Sequence, residues 1–446
     1  MTSTPPARVV VVGAGFAGLH VVAALRGAPV EVTLVDARNH HTFQPLLYQV
    51  ATAGLDAGDV AHQVRDLLRP HRHARFRLGR VADVDLEGRR VLLEDGEALP
   101  YDHLVLAAGA VYDDFGIPGV RDHAFVLKSV PEALALRAHV LGRFERATRD
   151  PALADRGGLD VAIVGAGPTG VEMAGALVEL FDRVLPSDYP ELGARRARVV
   201  LLEAGDAVLP PYRTATRAYA ERVLRARGVD VRLGAVVREV DGERVHLADG
   251  TSLPYGTLVW AAGVRGHPLA EALRVPLGRG GRVPVADDLS LPGHPGVWVA
   301  GDLAGPVGAP LLEGGAHALP QVAQVAIQQG KHVAHGIRAR LAGRPTRPFR
   351  YADRGQMAIV GRSAGVAELS PAMGGGRFSG FAGWLAWLFV HLVYLPSHVN
   401  RARTLLGWAW EWATYDRHAR LILESGERSA RGAGFAPARR AASTAR

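Results

Sequence analysis

Two glycine runs, and the acids that follow them, are the residues of this chain most suited to chemistry. Gly13-Ala14-Gly15-Phe16-Ala17-Gly18 precedes Asp36, which lies 23 residues after Gly13. Gly165-Ala166-Gly167-Pro168-Thr169-Gly170 precedes Glu203, 38 residues after Gly165. In a GxGxxG turn the first glycine makes the bend and the second admits a pyrophosphate. The third lets the following helix pack on its strand. The helix N-terminus offers unpaired N–H groups to phosphate, and the acid after the next strand meets a ribose hydroxyl. Two copies predict two dinucleotide sites. Glu172 stands two residues beyond the second run. As a first-turn residue it could simply complement the helix dipole, worth roughly 0.3–1 kcal/mol. His40 and His41 lack a third ligand at metal spacing, so no metal site is expected. The chain has no cysteine, which removes dithiol chemistry altogether.

The elements that must position these residues repeat one grammar. Apolar runs at 8–12 and 30–35 flank the first glycine loop, and runs at 160–164 and 198–202 flank the second. A strand ending Ala107-Ala108-Gly109 closes the first unit, and one ending Ala261-Ala262-Gly263 closes the second. A third apolar run ends in Gly301-Asp302 and leads to a helix over 322–341. The fold class is therefore α/β, with two Rossmann-like dinucleotide-binding domains, the second inserted in the first. Residues 1–115 and 289–345 form the outer unit, and 116–288 the inner one. Residues 346–424 form a third region with strands at 356–360 and 365–369 and helices at 378–395 and 401–423. Residues 425–446, rich in Ala, Gly, Ser and Arg, read as disordered.

That third region is compositionally distinct. From residue 351 to the end there are 12 Arg against 6 Asp plus Glu, and five of the seven tryptophans. Residues 378–400 are 23 consecutive positions without Asp, Glu, Lys or Arg, where a spanning helix needs about 20. Gly380, Gly383, His391 and Pro396 interrupt the run. An in-plane membrane anchor is therefore expected over a span, with a buried core or dimer helix as the third reading. A basic, tryptophan-rich surface suits an anionic membrane better than nucleic acid, for which no recognition motif is present. The start MTSTPPAR runs directly into a strand, so export is not expected and the cytoplasmic face of the membrane is.

Three further strings narrow the reading. They are His41-Thr42-Phe43-Gln44-Pro45-Leu46-Leu47-Tyr48-Gln49-Val50-Ala51, Glu172 in GAGPTGVE, and Ala323-Gln324-Val325-Ala326-Ile327-Gln328-Gln329. Together with the two glycine runs and Gly301-Asp302, they resemble the type II NADH dehydrogenases, over about residues 8–423. These lie among flavoproteins with two dinucleotide folds, and disulfide-reducing and sulfide-oxidising relatives need cysteines that this chain lacks. The resemblance implies FAD on Gly13, Ala14, Gly15, Phe16, Ala17, Gly18, Asp36, Ala37, Val81, Asp302, Ala323 and Gln324. NADH then belongs on Gly165, Gly167, Pro168, Thr169, Gly170, Glu203 and Gly263.

It also implies quinone beside Pro45, Leu46, Leu47, Ala326, Ile327 and Gln328, with Glu172 moving protons. Arg377 stands in for a C-terminal lysine that some members carry. Plainer readings remain for these strings: Ala323 and Ala326 permit close helix packing, and Phe43, Leu46, Leu47 and Tyr48 fill a core. The expected activity is hydride transfer from NADH to FAD, then two electrons to membrane quinone, by a peripheral protein that could pair as a homodimer. A reductase for a soluble electron carrier, or a flavoprotein sensor without turnover, are the alternatives. With Glu203 on the adenosine ribose, a 2′-phosphate is repelled, so catalytic efficiency with NADH exceeds that with NADPH by at least tenfold. Equal efficiencies in steady-state assays would remove Glu203 from that site.

Overall fold

Four consecutive valines, Val9 to Val12, are buried on both faces, as the central strand of a parallel sheet requires. In the computed structural model, Ala7–Val12 is the third of five parallel strands, ordered Val297–Val299, His103–Leu106, Ala7–Val12, Val30–Asp36, Ala74–Leu78. A second parallel sheet repeats the last four places of that order, behind an edge strand that comes first in its chain order instead of last: Ala124–Phe125, Thr257–Trp260, Val161–Val164, Val199–Leu202, Asp230–Arg232. The edge strand Val297–Val299 of the outer sheet follows the whole inner sheet in sequence, so the inner unit is inserted in the outer. Each unit also carries a three-stranded antiparallel sheet, spanning Val81–Asp85 to Ala98–Pro100 and Val237–Val240 to Ser252–Pro254. The structure describes residues 5–193, 197–307, 319–417 and 419–423. The tail expected to be disordered, 425–446, lies outside the described residues.

Helix α1 (Phe16–Ala24) follows the outer glycine loop, and α2 (Pro168–Glu179) follows the inner one. Helix α3 (Ala323–Leu341) lies against α1. At Gly330 a Cβ would fall 2.3 Å from the Ala17 carbonyl oxygen, so only glycine lets these two backbones meet. The cores divide the chain differently from the expected boundary at 288. Ala270, Leu273, Val283 and Val285 pack in the outer unit's core, and Val283–Val285 pairs with Ala304–Val307. This return segment ties the insert back to its host.

The third region departs most from expectation. Residues 377–380 form a strand, Arg377–Gly380, beside Ala364–Glu368, and only then does α4 (Phe381–Tyr394) begin. Its 14 residues reach about 21 Å at 1.5 Å per residue, short of a roughly 30 Å hydrocarbon layer. Among the described residues no helix is long and apolar enough to cross a membrane. Helix α5 (His398–Thr414) starts at the Ser397 cap and stops where Tyr415 turns left-handed, at φ +61°. The expected helix to residue 423 therefore ends early.

Two tryptophans read as interface residues are core residues. Trp387 is fully buried, and Trp408 nearly so, in the cluster that also holds Leu47 of the outer unit and Val171 and Met173 of α2. Arg417 is buried beside Glu179 and Glu411. The opposite side of α4 is bare: Phe381, Leu385, Phe389 and Val393 are exposed at four-residue spacing, so they share one face. One face is anchor-like and the other completes the inner core. Trp387→Ala is expected to lower stability by about 3–5 kcal/mol through the cavity it leaves. An unchanged denaturant midpoint would show that α4 is dispensable to the fold.

Candidate active site

The two glycine loops are built alike to the level of single atoms. Gly13 (φ +106°) and Gly165 (φ +101°) occupy conformations closed to other residues. A Cβ on Gly13 would lie 2.3 Å from the Ala107 carbonyl oxygen, and one on Gly165 2.8 Å from the Ala262 backbone. On Gly18 or Gly170 it would strike the first glycine's own carbonyl oxygen at 1.9 Å. The middle glycines, Gly15 and Gly167, face open space instead. Each loop is held by the acid of the next strand. Asp36 Oδ2 accepts from the Ala14 N–H at 2.7 Å, and Glu203 Oε2 accepts from the Ala166 N–H at 2.7 Å. The second carboxylate oxygens accept from Arg38 and Gly205 N–H groups, both at 2.8 Å.

Neither α1 nor α2 has a side-chain cap. Their first N–H groups are thus free to meet an anion beside the middle glycine. A dinucleotide fits both loops. At the outer loop Gly301 (φ +74°) lies between Ala17 and Ala326, which a Cβ there would meet in ordinary contact at 3.5 and 3.6 Å. Its N–H donates to Gln329 Oε1 at 2.7 Å. Gln329 Nε2 and Gln324 Oε1 are buried without a partner among the described residues, which marks this wall as one that awaits a polar ligand. The Ala323 end of α3 also lacks a side-chain cap. Val81 is partly buried at the outer core's edge, and Ala37 is exposed beyond Asp36.

At the inner loop, Pro168 and Thr169 open α2 after the Gly167 cap. Gly263 (φ +62°) is overlain by the Phe115 ring, which a Cβ there would strike at 2.1 Å. Because α2 starts at Pro168, Glu172 falls in its second turn, and the first turn holds no acid. The helix-dipole reading of Glu172 is therefore overturned. Gly175, one turn on, lets the strand Gln356–Gly361 approach so closely that a Cβ would lie 2.4 Å from the Val360 carbonyl oxygen. That approach puts the Ile359 N–H 3.3 Å from Glu172 Oε1, and α4 adds the Trp387 indole N–H at 3.0 Å. Glu172 is 7% exposed. Burial pushes its carboxyl up to about 8, against the opposing pull of these two donors.

An aromatic series joins Glu172 to the outer loop. Trp387 stacks on His391 at 3.7 Å, His391 meets Phe43 edge-on at 6.2 Å, and Phe43 meets Phe16 at 5.7 Å. Tyr48 meets Trp387 from the other side at 6.3 Å. Burial drives His391 down to about 4, so this aromatic wall is uncharged at neutral pH.

The remaining expected site residues scatter. Leu46 and Leu47 are fully buried, Ala326 and Ile327 nearly so, and Pro45 is half-buried. Gln328 has both amide atoms engaged with the Ala352 backbone at 2.9 Å. Arg377 is exposed on its strand opposite Glu368. The cation at the outer loop's late acid is Lys128, with Nζ 3.9 Å from Asp302 Oδ2 and 5.7 Å from the Tyr112 ring centre. Sequence reasoning missed Lys128 and Trp387. Lys128 carried one usable signal, being one of two lysines among 52 Lys and Arg. Trp387 carried none, since only the fold brings it to Glu172.

The buried carboxyl makes a pH prediction independent of turnover. The Glu172 pKa is raised above its ordinary 4.5, so its stabilising share is complete below that value. That share declines as pH rises toward 8 and is level beyond it. Glu172→Gln abolishes the decline, so the mutant gains on the parent by on the order of 4 kcal/mol across this window. Parallel unfolding curves for the two proteins from pH 5 to 8 would place the Glu172 pKa near its ordinary value.

A family model described as pyridine nucleotide-disulphide oxidoreductase matches residues 7–330. The type II NADH:quinone oxidoreductase Ndh of Mycobacterium tuberculosis is 40% identical over 424 residues, covering 91% of this chain and 89% of its own length. A Staphylococcus aureus type II NADH:quinone oxidoreductase is 33% identical, covering 80% of this chain and 89% of its own. The solved structure of NDH2 from Plasmodium falciparum in complex with NADH shares the fold. Its TM-score is 0.83 at 19% identity, over 94% of this chain and 100% of that one.

Proposed function

Since the chain belongs to the type II NADH:quinone oxidoreductases, within the pyridine nucleotide-disulphide oxidoreductase family, we propose that its two loops and Glu172 divide one reaction. It is an FAD-dependent NADH dehydrogenase that reduces quinone. Bound FAD supplies the two-electron chemistry, accepting a hydride from NADH and returning electrons to quinone. The protein supplies binding, orientation and proton handling. Gly13 to Gly18, Asp36 and Asp302 hold FAD, with Ala37, Val81, Ala323 and Gln324 along its length. Gly165, Gly167, Pro168, Thr169, Gly170, Glu203 and Gly263 hold NADH.

The observation that carries this division is the placing of Glu172. It sits on the helix that begins at the inner loop, and the aromatic series from Trp387 through His391 and Phe43 reaches Phe16 of the outer loop. A carboxyl raised to about 8 is protonated in neutral solution and still able to let its proton go. Quinone approaches along the aromatic wall, beside residues 43–48 and the Ala323 end of α3. For Leu46, Leu47 and Ile327 to touch it, their present close packing has to open. Lys128 neutralises Asp302 and so steadies the anionic cofactor.

The membrane is met by the bare face of α4, continued by Leu405, Leu406 and Trp410 of α5. Such a large apolar surface on α4 and α5 favours a bilayer over a soluble electron carrier, and we place the protein on its cytoplasmic side. Phe389→Glu with Leu406→Glu is expected to release the protein from liposomes, and retention would shift the contact elsewhere. Glu172→Gln keeps shape while removing titration. Steady-state quinone reduction is expected to slow by about 10²-fold, with NADH affinity unchanged and one ionisation lost from the pH profile. Parental turnover with an unchanged profile would leave Glu172 as a packing residue.

A further inference from the structure

NADH delivers two electrons and one hydrogen nucleus as a hydride, whereas quinone needs two electrons and two protons. Each turnover therefore draws one proton from water. Glu172 has little surface of its own to draw it from. A cavity of about 70 Å³ adjoins it, lined among others by Tyr48, Gln49, Glu179, Glu411 and Arg417. Such a volume admits more than one water. Trp384, Leu388, Trp408 and Trp412 line the rest of it, while Gln49, Glu179, Glu411 and Arg417 give water its polar partners.

We propose that this cavity is the inlet through which protons reach Glu172, with Glu179 as its second station. The inference rests on Glu172 serving as the proton-handling group. Glu172, Ala176 and Glu179 stand at i, i+4 and i+7 of α2, on one face. All three line the cavity. The two carboxyls are about 10 Å apart along the axis, a gap that water has to bridge.

Glu179 is held by Arg417, whose guanidinium lies 3.2 Å from Glu179 Oε2 and 2.6 Å from Glu411 Oε1. The same guanidinium donates to the carbonyl oxygens of Thr52 and Ala176, each at 3.0 Å. Side-chain exposure rises from 4% at Arg417 to 14% at Glu179 and 24% at Glu411, so the cluster opens outward.

The groups facing Glu179 come from every neighbouring element. Arg417 and Glu411 approach from the C-terminal segment, Arg227 from the end of the helix Thr214–Ala226, and Arg362 from beyond the strand Gln356–Gly361. Burial raises the Glu179 carboxyl, as it does that of Glu172, and the arginines pull it back. Burial thus shifts both carboxyls toward holding a proton. Glu172 gives its proton to the quinone side and takes one from cavity water. That water is refilled from Glu179, and Glu179 from bulk. Every station ends a turnover as it began.

The test compares Glu179→Gln, Glu179→Asp, Ala176→Leu and Glu172→Gln in the FAD-loaded protein. Ala176→Leu fills the cavity while leaving every charge in place. It decides the matter if Glu179→Gln, which leaves Arg417 short of a partner, fails to fold. Glu179→Gln and Ala176→Leu are expected to slow quinone turnover by about tenfold, most at alkaline pH, with an enlarged solvent isotope effect. Glu179→Asp recovers part of the loss. Flavin reduction by NADH, which needs no proton from water, stays at the parental rate. Independently of turnover, the infrared band of the protonated Glu172 carboxyl exchanges more slowly into D2O in Ala176→Leu. Parental turnover, pH profile and exchange in both variants, alongside a slow Glu172→Gln, overturn the inlet and leave Glu172 standing. A parental Glu172→Gln overturns the reading beneath it.

Discussion

The bond from the Trp387 indole to Glu172 is the hinge of this architecture. A carboxyl taken out of water needs donors in place of the ones it loses. Glu172 finds two, one from the Ile359 backbone and one from a tryptophan 215 residues further along the chain. To bring that indole in, α4 has to turn one face to the inner core, which leaves its other face bare. The same constraint thus sets the carboxyl's elevated pKa, the docking of the C-terminal region and its exposed apolar stripe. The region is at once bare and apolar on one side and part of the candidate site on the other.

Around that hinge the molecule repeats itself. Both sheets share the last four places of their strand order though not the origin of the edge strand, both loops use a left-handed first glycine and an open second one, and both are held by an acid at 2.7 Å. These carboxylates hold the loop backbone, so an acid placed where a ribose would lie also preorganises the cradle for a phosphate. The repeats differ where their tasks differ. The outer loop faces Gly301, Asp302 and Lys128, whereas the inner loop's helix carries Glu172 toward the C-terminal aromatics.

Charge is placed economically. The buried ions Glu179, Glu411 and Arg417 sit within one cluster, where each offsets another's desolvation. The aromatic wall between the loops holds only a neutral histidine. With no cysteine in the chain, electrons have no thiol relay and leave directly to an external acceptor, and the buried Glu172 carboxyl is pushed up to about 8.

The sequence by itself determined the parts whose chemistry is local. A glycine run after a strand, with an acid closing the next strand, specifies a dinucleotide loop within some 40 residues, because turn, helix start and ribose contact are all short-range. The nesting of the two units and the family followed from such strings, as did the candidacy of Glu172. Tertiary structure decided whatever depends on partners far along the chain. Residues 378–400 read as one apolar segment, but pairing with Ala364–Glu368 draws 377–380 into a strand. Hydropathy could not say which tryptophans face the core, because Trp387 and Trp410 are equally apolar and only packing separates them. Lys128 and Arg417 likewise became legible only once folding set them beside Asp302 and Glu179. A charge's partner is a fact of three dimensions, whereas a turn's glycine is a fact of six residues.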